Sequence, residues 1–180
     1  MRDDLDKILL GENQIQQRLD ELAEELRAEY EHKDLTVVGV LTGSVMFIAD
    51  LLKRLPIQLR LDYIGVSSYR GSTAPSGDLV LTKKLGLDVR DHDVLVVDDV
   101  FDTGATLGRI RRMIGELGPR SLKLCVFLEK EIPHAENVPV DYVAFRIPNE
   151  FVVGYGLDYR ERYRNLPYVA TLRKELIREG

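Results

Sequence analysis

The stretch "VLVVDDVFDTGATLGRI", residues 94–110, decides the fold. It opens as a continuous apolar run, the pattern of a strand buried on both faces. Asp98, Asp99 and Asp102 then place three carboxylates within five positions. Thr103-Gly104-Ala105-Thr106 follows at once and opens a helix whose apolar positions, Leu107, Ile110, Ile114 and Leu117, recur at helical spacing until Gly118-Pro119 ends it. Buried strand, tight turn and amphipathic helix form the repeating unit of an α/β protein.

Working outward, the same alternation recurs. "LTVVGVL" (35–41) is a second doubly buried strand, followed by Thr42-Gly43-Ser44 and a helix from Val45 to Leu55 stopped by Pro56. "LRLDYIGV" (59–66) alternates as a strand, and "SSYRGSTAPSGD" (67–78) is a Ser/Gly/Pro-rich loop long enough to suggest a function. "LVLTKKL", "LKLCVFL" and "VDYVAF" supply three more strands. Before them all, Asn13 with Gln16 reads as a capping box, opening a helix with Ile15, Leu19, Leu22 and Leu26 on one stripe. The first 34 residues read as mostly acidic helix, and the C-terminal "YVATLRKELIREG" reads as a short amphipathic helix. The fold class is therefore α/β: a mainly parallel sheet flanked by helices. Ligands of such sheets bind beyond the carboxyl ends of the strands, where "LTGS" and "DDVFDTGAT" both fall.

Composition narrows the partners. The 180 residues are 44% hydrophobic and 31% charged, the mix of a globular domain, and no repeat or linker divides them. A net charge of −5 argues against nucleic acid or an anionic membrane as the main partner. No apolar run approaches the ~20 residues that span a bilayer. The N-terminus shows no signal-peptide pattern, and the single cysteine, Cys125, precludes an intrachain disulfide and fits a reducing cytoplasm. Cys125 lies in an apolar run and reads as a buried, inert thiol. His32, His92 and His134 are scattered without an i,i+4 partner, which argues against zinc.

The opening stretch joins opposites, because acids repel phosphate while a Thr/Gly turn at a helix start attracts it. At that turn unpaired backbone N–H groups and the positive end of the helix dipole converge. Gly104 allows close approach and the threonine hydroxyls add donors, making a monophosphate cradle. The Walker spacing and its lysine are absent. Asp98 and Asp99 accept only, so they need a metal, an amine or hydroxyls. A vicinal diol beside a phosphate, as in a ribose 5-phosphate, satisfies both halves. Asp102 is left to act near the anomeric carbon. Paired acids alone also occur on solvated edges and in magnesium clusters, and "DTG" alone marks all-β aspartic proteases, which the strand–helix alternation contradicts.

The stretch resembles the phosphoribosyl-diphosphate (PRPP) motif of type I phosphoribosyltransferases. "VGVLTGSVMFIADLLKRL", "DYIGVSSYRGS", "FLEKE" and "IPNEFVVGYGLDYRERYRNLPYV" are similar, in order and spacing, to the hypoxanthine-guanine phosphoribosyltransferases. The resemblance covers the chain from about residue 35 to 170. It implies transfer of a phosphoribosyl group from PRPP to a 6-oxopurine, with Mg²⁺ as cofactor and an assembly of two or four copies. It further implies a core over about 35–145 with a small hood built from about 1–34 and 146–180.

Residue by residue, the resemblance assigns Asp98 and Asp99 to the ribose hydroxyls and the metal. Asp102 falls to purine N7, and Thr103, Gly104, Ala105 and Thr106 to the 5′-phosphate. Lys130 would donate to the purine 6-oxo group, Phe151 would stack on the ring and Val152 would supply backbone contacts. Asp158, beside the purine, would bind the Mg²⁺ of the pyrophosphate. Thr42, Gly43 and Arg164 would hold the pyrophosphate itself, the loop presenting its backbone through a non-proline cis peptide. Ser68 and Tyr69 would sit in a closing flap. Without the resemblance, Lys130 and Asp158 read as solvated surface charges and Phe151 as core.

Two departures stand out. Thr42 replaces a common lysine, and Asp98 replaces the more usual Glu. The Asp-Asp form also resembles xanthine-guanine enzymes, leaving a xanthine preference open. A non-catalytic PRPP or purine sensor is the remaining alternative, but it should carry a DNA-binding module or a basic face.

Overall fold

A computed structural model describes residues 2–68, 79–132 and 138–177. In chain order the elements are β1 (Leu5–Leu10), α1 (Glu12–Tyr30), β2 (Leu35–Leu41), α2 (Val45–Lys53), β3 (Leu59–Ser68), β4 (Leu79–Lys83), β5 (Asp93–Phe101), α3 (Ala105–Gly115), β6 (Ser121–Lys130), β7 (Tyr142–Ile147), β8 (Val152–Val153) and β9 (Val169–Leu172). Six strands form the main sheet in the order β4-β3-β2-β5-β6-β7, all parallel except the edge strand β4.

Alternate residues of the central strands serve opposite faces. Val37, Leu95, Val97, Cys125 and Phe127 pack with α1 and α2, whereas Val38, Val40, Val94, Val96, Leu124 and Val126 pack with Leu107, Ile110 and Ile114 of α3. Both faces are covered, so these strands read as unbroken apolar runs rather than alternating ones. Cys125 is fully buried, and burial raises its thiol pKa well above the ordinary value, so it stays protonated.

The stripe of Ile15, Leu19, Leu22 and Leu26 is fully buried, each side chain contributing about 1.5–3 kcal/mol of gross stabilisation. The helix start differs from the expected capping box. Gly11 is the N-cap with no side-chain cap bond, and its carbonyl accepts from Ile15 N at 3.0 Å. Asn13 lies one residue inside the helix because β1, which the reading as mostly helix missed, delivers the chain directly to Gly11. Leu117, placed on the stripe of α3, lies beyond the helix end and is 44% exposed. Likewise α2 stops at Lys53, two residues before Leu55.

The C-terminal expectation of a helix is overturned. Val169–Leu172 is a strand with every residue buried, and only Lys174–Leu176 forms a single 3-10 turn. Leu172 pairs with Leu5 and Ala170 with Val153, giving a small antiparallel sheet in the order β1-β9-β8. Helical spacing of Val169, Leu172 and Leu176 loses here to ladder bonds offered by β8 and by β1, the latter more than 150 residues away. This sheet pairs β1 with β9, which in turn pairs with β8. Helix α1, counted with the hood in the sequence reading, instead packs on the main sheet. Its Arg18 donates to the carbonyls of Ala144 and Val143, both at 3.1 Å, pinning it to β7. No helix among the described residues is long and apolar enough to cross a membrane.

Candidate active site

Parallel strands bring their carboxyl ends to one edge of the sheet. The register sets Asp98 beside Val126, Phe101 beside Glu129 and Lys130 beside Ile147. A cleft of about 340 Å³ opens at that edge. Thr42 and Gly43 line it after β2, Asp98 and Asp99 within β5, Asp102, Thr103, Gly104 and Thr106 after β5, and Asp158 and Arg164 from the segment after β8.

The phosphate-cradle half is a helix N-terminus. Gly104 is the N-cap of α3 with φ of +85°, a left-handed conformation that side-chain-bearing residues adopt at a cost. Its carbonyl accepts from Gly108 N at 2.8 Å, closing the first turn. The amides of that first turn have no intrahelical acceptor, and Thr103 and Thr106 flank them in the cleft. Ala105 occupies the first helical position, where it contributes backbone alone.

The acidic half is buried at Asp98 and half-buried at Asp99. Asp98 is 6% exposed, and its carboxylate accepts from Asp99 N at 2.9 Å, while Asp99 accepts from Val100 N at 3.0 Å. Burial first, and the neighbouring Asp99 charge second, push the Asp98 pKa well above the carboxylate range. Burial also raises Asp99. Two carboxylates in this state are stabilised by hydroxyl donors or a cation, the complement of what the cradle attracts.

The third acid stands apart. Asp102 accepts from Lys130 Nζ at 3.0 Å across the gap between the ends of β5 and β6. Both residues were assigned to the purine separately; the fold makes them an ion pair. Asp158 and Arg164 are joined in the same way. Arg164 Nη2 lies 2.9 Å from Asp158 Oδ1 and 3.0 Å from Glu161 Oε2, and Nη1 donates to the Gly156 carbonyl at 2.9 Å.

Two close approaches lock the Thr42–Gly43 loop. The Leu41–Thr42 peptide is cis, as the resemblance implies. A Cβ on Gly43 would overlap the Asp99 carboxylate, and a Cβ on Gly156 would overlap the Gly43 carbonyl oxygen. Gly43 is therefore sandwiched between β5 and the C-terminal segment, with no room for any side chain.

A family model for the phosphoribosyl transferase domain matches residues 7–160. The chain belongs to the phosphoribosyltransferase family. A hypoxanthine-guanine phosphoribosyltransferase of Staphylococcus aureus (strain Mu50) is 43% identical over 176 residues, 98% of either chain. A crystal structure of a hypoxanthine phosphoribosyltransferase from Staphylococcus aureus superposes with a TM-score of 0.94 at 42% identity, covering 99% of this chain and 97% of that one. The bifunctional protein TilS/HprT of Listeria innocua is 44% identical over 179 residues, 99% of this chain; the chain spans 28% of that longer protein.

In this phosphoribosyltransferase not every residue assigned from sequence lines the cleft. Lys130 reaches the cleft's edge through Asp102 rather than lining it. Phe151 is 43% exposed just before β8, meeting Tyr159 edge-on at 5.6 Å, and Val152 is buried in β8 opposite Thr171. Ser68 ends β3, and Tyr69, with the rest of the expected flap through residue 78, lies outside the described residues. Glu161 and Gly156 were missed by the sequence reading. Glu161 had a faint signal, three residues before Arg164; Gly156 had none beyond being one glycine of "VGYG".

Proposed function

We propose that this phosphoribosyltransferase transfers the 5-phosphoribosyl group of PRPP to N9 of a 6-oxopurine, hypoxanthine or guanine, releasing pyrophosphate in a purine salvage reaction. The observation that carries it is the pair of buried Asp98 and half-buried Asp99 set beside the Gly104 cradle in one cleft. Donor-poor carboxylates and an anion-binding helix start are matched by one ligand, a ribose phosphate. In this reading Asp98 and Asp99 accept from the ribose 2′- and 3′-hydroxyls, and Thr103, Gly104, Ala105 and Thr106 hold the 5′-phosphate. Thr42, Gly43 and Arg164 receive the pyrophosphate, with Ser68 and Tyr69 in a covering flap.

The purine lies on the other side of the ribose, against Phe151 and the backbone of Val152, with Asp158 beside it. Lys130 donates to its 6-oxo group. A lysine donates and never accepts, so it favours a carbonyl over the amino group of adenine. Breaking its pair with Asp102 on purine entry frees that carboxylate to accept the proton at N7. As N9 bonds to C1′ and the pyrophosphate departs, positive charge develops on the ribosyl ring, and the carboxylate-lined cleft stabilises it.

Among the described residues no cluster of three or more His, Cys, Asp or Glu side chains forms a ready-made metal cage. The Asp98, Asp99 and Asp158 carboxylates that line the cleft fit Mg²⁺, which binds through one or two carboxylates and substrate phosphates. Asp158, and the Asp98/Asp99 pair through the diol, would hold it. Magnesium, when bound, neutralises charge on the leaving pyrophosphate. We place the enzyme in the cytoplasm, as an assembly of two or four copies.

The test is turnover with PRPP and a purine panel. Hypoxanthine and guanine should react, xanthine more slowly, and adenine should not. Efficient use of adenine would sink the assignment, and absence of transfer to any purine would favour a sensor.

A further inference from the structure

We propose that Tyr155 and Asp50 form a positioning pair that holds the two halves of the pyrophosphate side of the cleft in register. The inference rests on the phosphoribosyl transfer proposed above. One half is the Thr42–Gly43 loop, which feeds directly into α2. The other is the segment bearing Asp158 and Arg164. They come from opposite ends of the chain and share no secondary structure.

Two connections among the described residues hold them together. The first is the backbone contact of Gly156 on the Gly43 carbonyl. The second lies one residue earlier. Tyr155 Oη donates to Asp50 Oδ2 on α2 at 2.8 Å, 105 residues away in sequence. Tyr155 is 4% exposed, and its ring lies 4.9 Å from that of Phe127. Its backbone φ is +51°, a conformation uncommon for a bulky residue, which persists where surroundings over-determine it. Its N–H donates to Leu166 O at 2.8 Å, and the next residue's N–H donates to Arg164 O at 2.9 Å.

Tyr155 and Gly156 are both left-handed, and in this turn the Gly156 carbonyl accepts from Arg164 Nη1 at 2.9 Å. Burial, and then the bond to Asp50, raise the Tyr155 pKa far above the ordinary value, so the hydroxyl remains a donor at any working pH. Asp50 is held ionised despite its burial by Lys53 and by Tyr155 itself. The sense of the bond is thus fixed. Neither side chain is assigned to substrate. Their effect passes through Gly156 to Arg164 and Gly43, and so to the leaving group rather than the purine.

Tyr155→Phe keeps the ring and removes the donor. Steady-state kinetics should show KM for PRPP rising roughly tenfold, the scale of one hydrogen bond to a charged acceptor, with kcat and KM for hypoxanthine moving less than about threefold. Calorimetry should show binding of magnesium pyrophosphate weakened by a similar factor. Asp50→Asn retains an acceptor and should stay within about threefold of wild type, whereas Asp50→Leu should reproduce Tyr155→Phe. The double variant should be no worse than either single one. An unmoved KM for PRPP, an equal shift in both substrates, or additive losses in the double variant would overturn the positioning role. If Tyr155→Phe does not fold, the Asp50→Asn and Asp50→Leu comparison decides alone. Transfer by the wild type with no PRPP effect in these variants overturns only the positioning; no transfer by the wild type overturns the function and the positioning together.

Discussion

Two strand–helix turns face each other across the cleft, and they use glycine for opposite reasons. The β5–α3 turn needs Gly104 for its left-handed φ, which leaves the first amides of the helix open toward the cleft. The β2–α2 turn needs Gly43 because Asp99 and Gly156 occupy the space on either side of it. One turn is built to receive an anion; the other is built to be gripped. The same topological position can therefore be a binding surface or a clamp, according to what packs behind it.

The comparison breaks most severely at the gripped turn. Gly43→Ala forces a Cβ into the Asp99 carboxylate, so the loop or the acid must move. A displacement near 1 Å in a reacting site costs about 10²-fold, and kcat/KM for PRPP should fall by at least that. Steady-state kinetics that stay near wild type would show that the clamp is slack.

At the open turn, Asp102→Asn keeps size and one acceptor but removes charge and basicity. Turnover should fall about 10- to 10³-fold, at or below the usual acid–base contribution. KM for PRPP should move much less, because ground-state contacts to PRPP are untouched. Equal losses in both parameters at saturating purine would place Asp102 with the ribose contacts instead.

The smallest expected effect is at the cradle's flank. Thr106→Val preserves shape and deletes one charge-assisted hydrogen bond, about 1.5–3 kcal/mol. PRPP and nucleotide product should both bind more weakly by about 10- to 160-fold, with the melting temperature nearly unchanged. An unaltered KM for PRPP would mean that the phosphate sits elsewhere.

How far these features were legible follows from their range. The opening stretch contains β5, its turn and α3 within one local unit, so strand, acids and cradle could be read together. The buried stripe of α1 was equally plain, since periodicity alone carries it. Its start was misread because Asn13 satisfies the capping pattern while the preceding residues are committed to β1. The C-terminal strand was misread for a similar reason. Val-Ala-Thr-Leu is only four residues of mixed preference, and its partner strand Leu5–Leu10 lies more than 150 residues away.

By itself the sequence determined the α/β alternation, the sheet edge at which ligand chemistry gathers, and the residue types of the acid pair and the cradle. Those are properties of short windows, governed by periodicity and local turn chemistry. Tertiary structure alone decided the small β1-β9-β8 sheet, the Asp102–Lys130 and Asp158–Arg164 pairs, and the grip on Gly43 by Asp99 and Gly156. The Asp102–Lys130 pair, the β1–β9 ladder and the grip on Gly43 join residues at least 28 positions apart, and the β8–β9 ladder joins residues 17 to 19 apart. Contacts of that kind depend on how whole elements pack, and no local pattern in the chain encodes them.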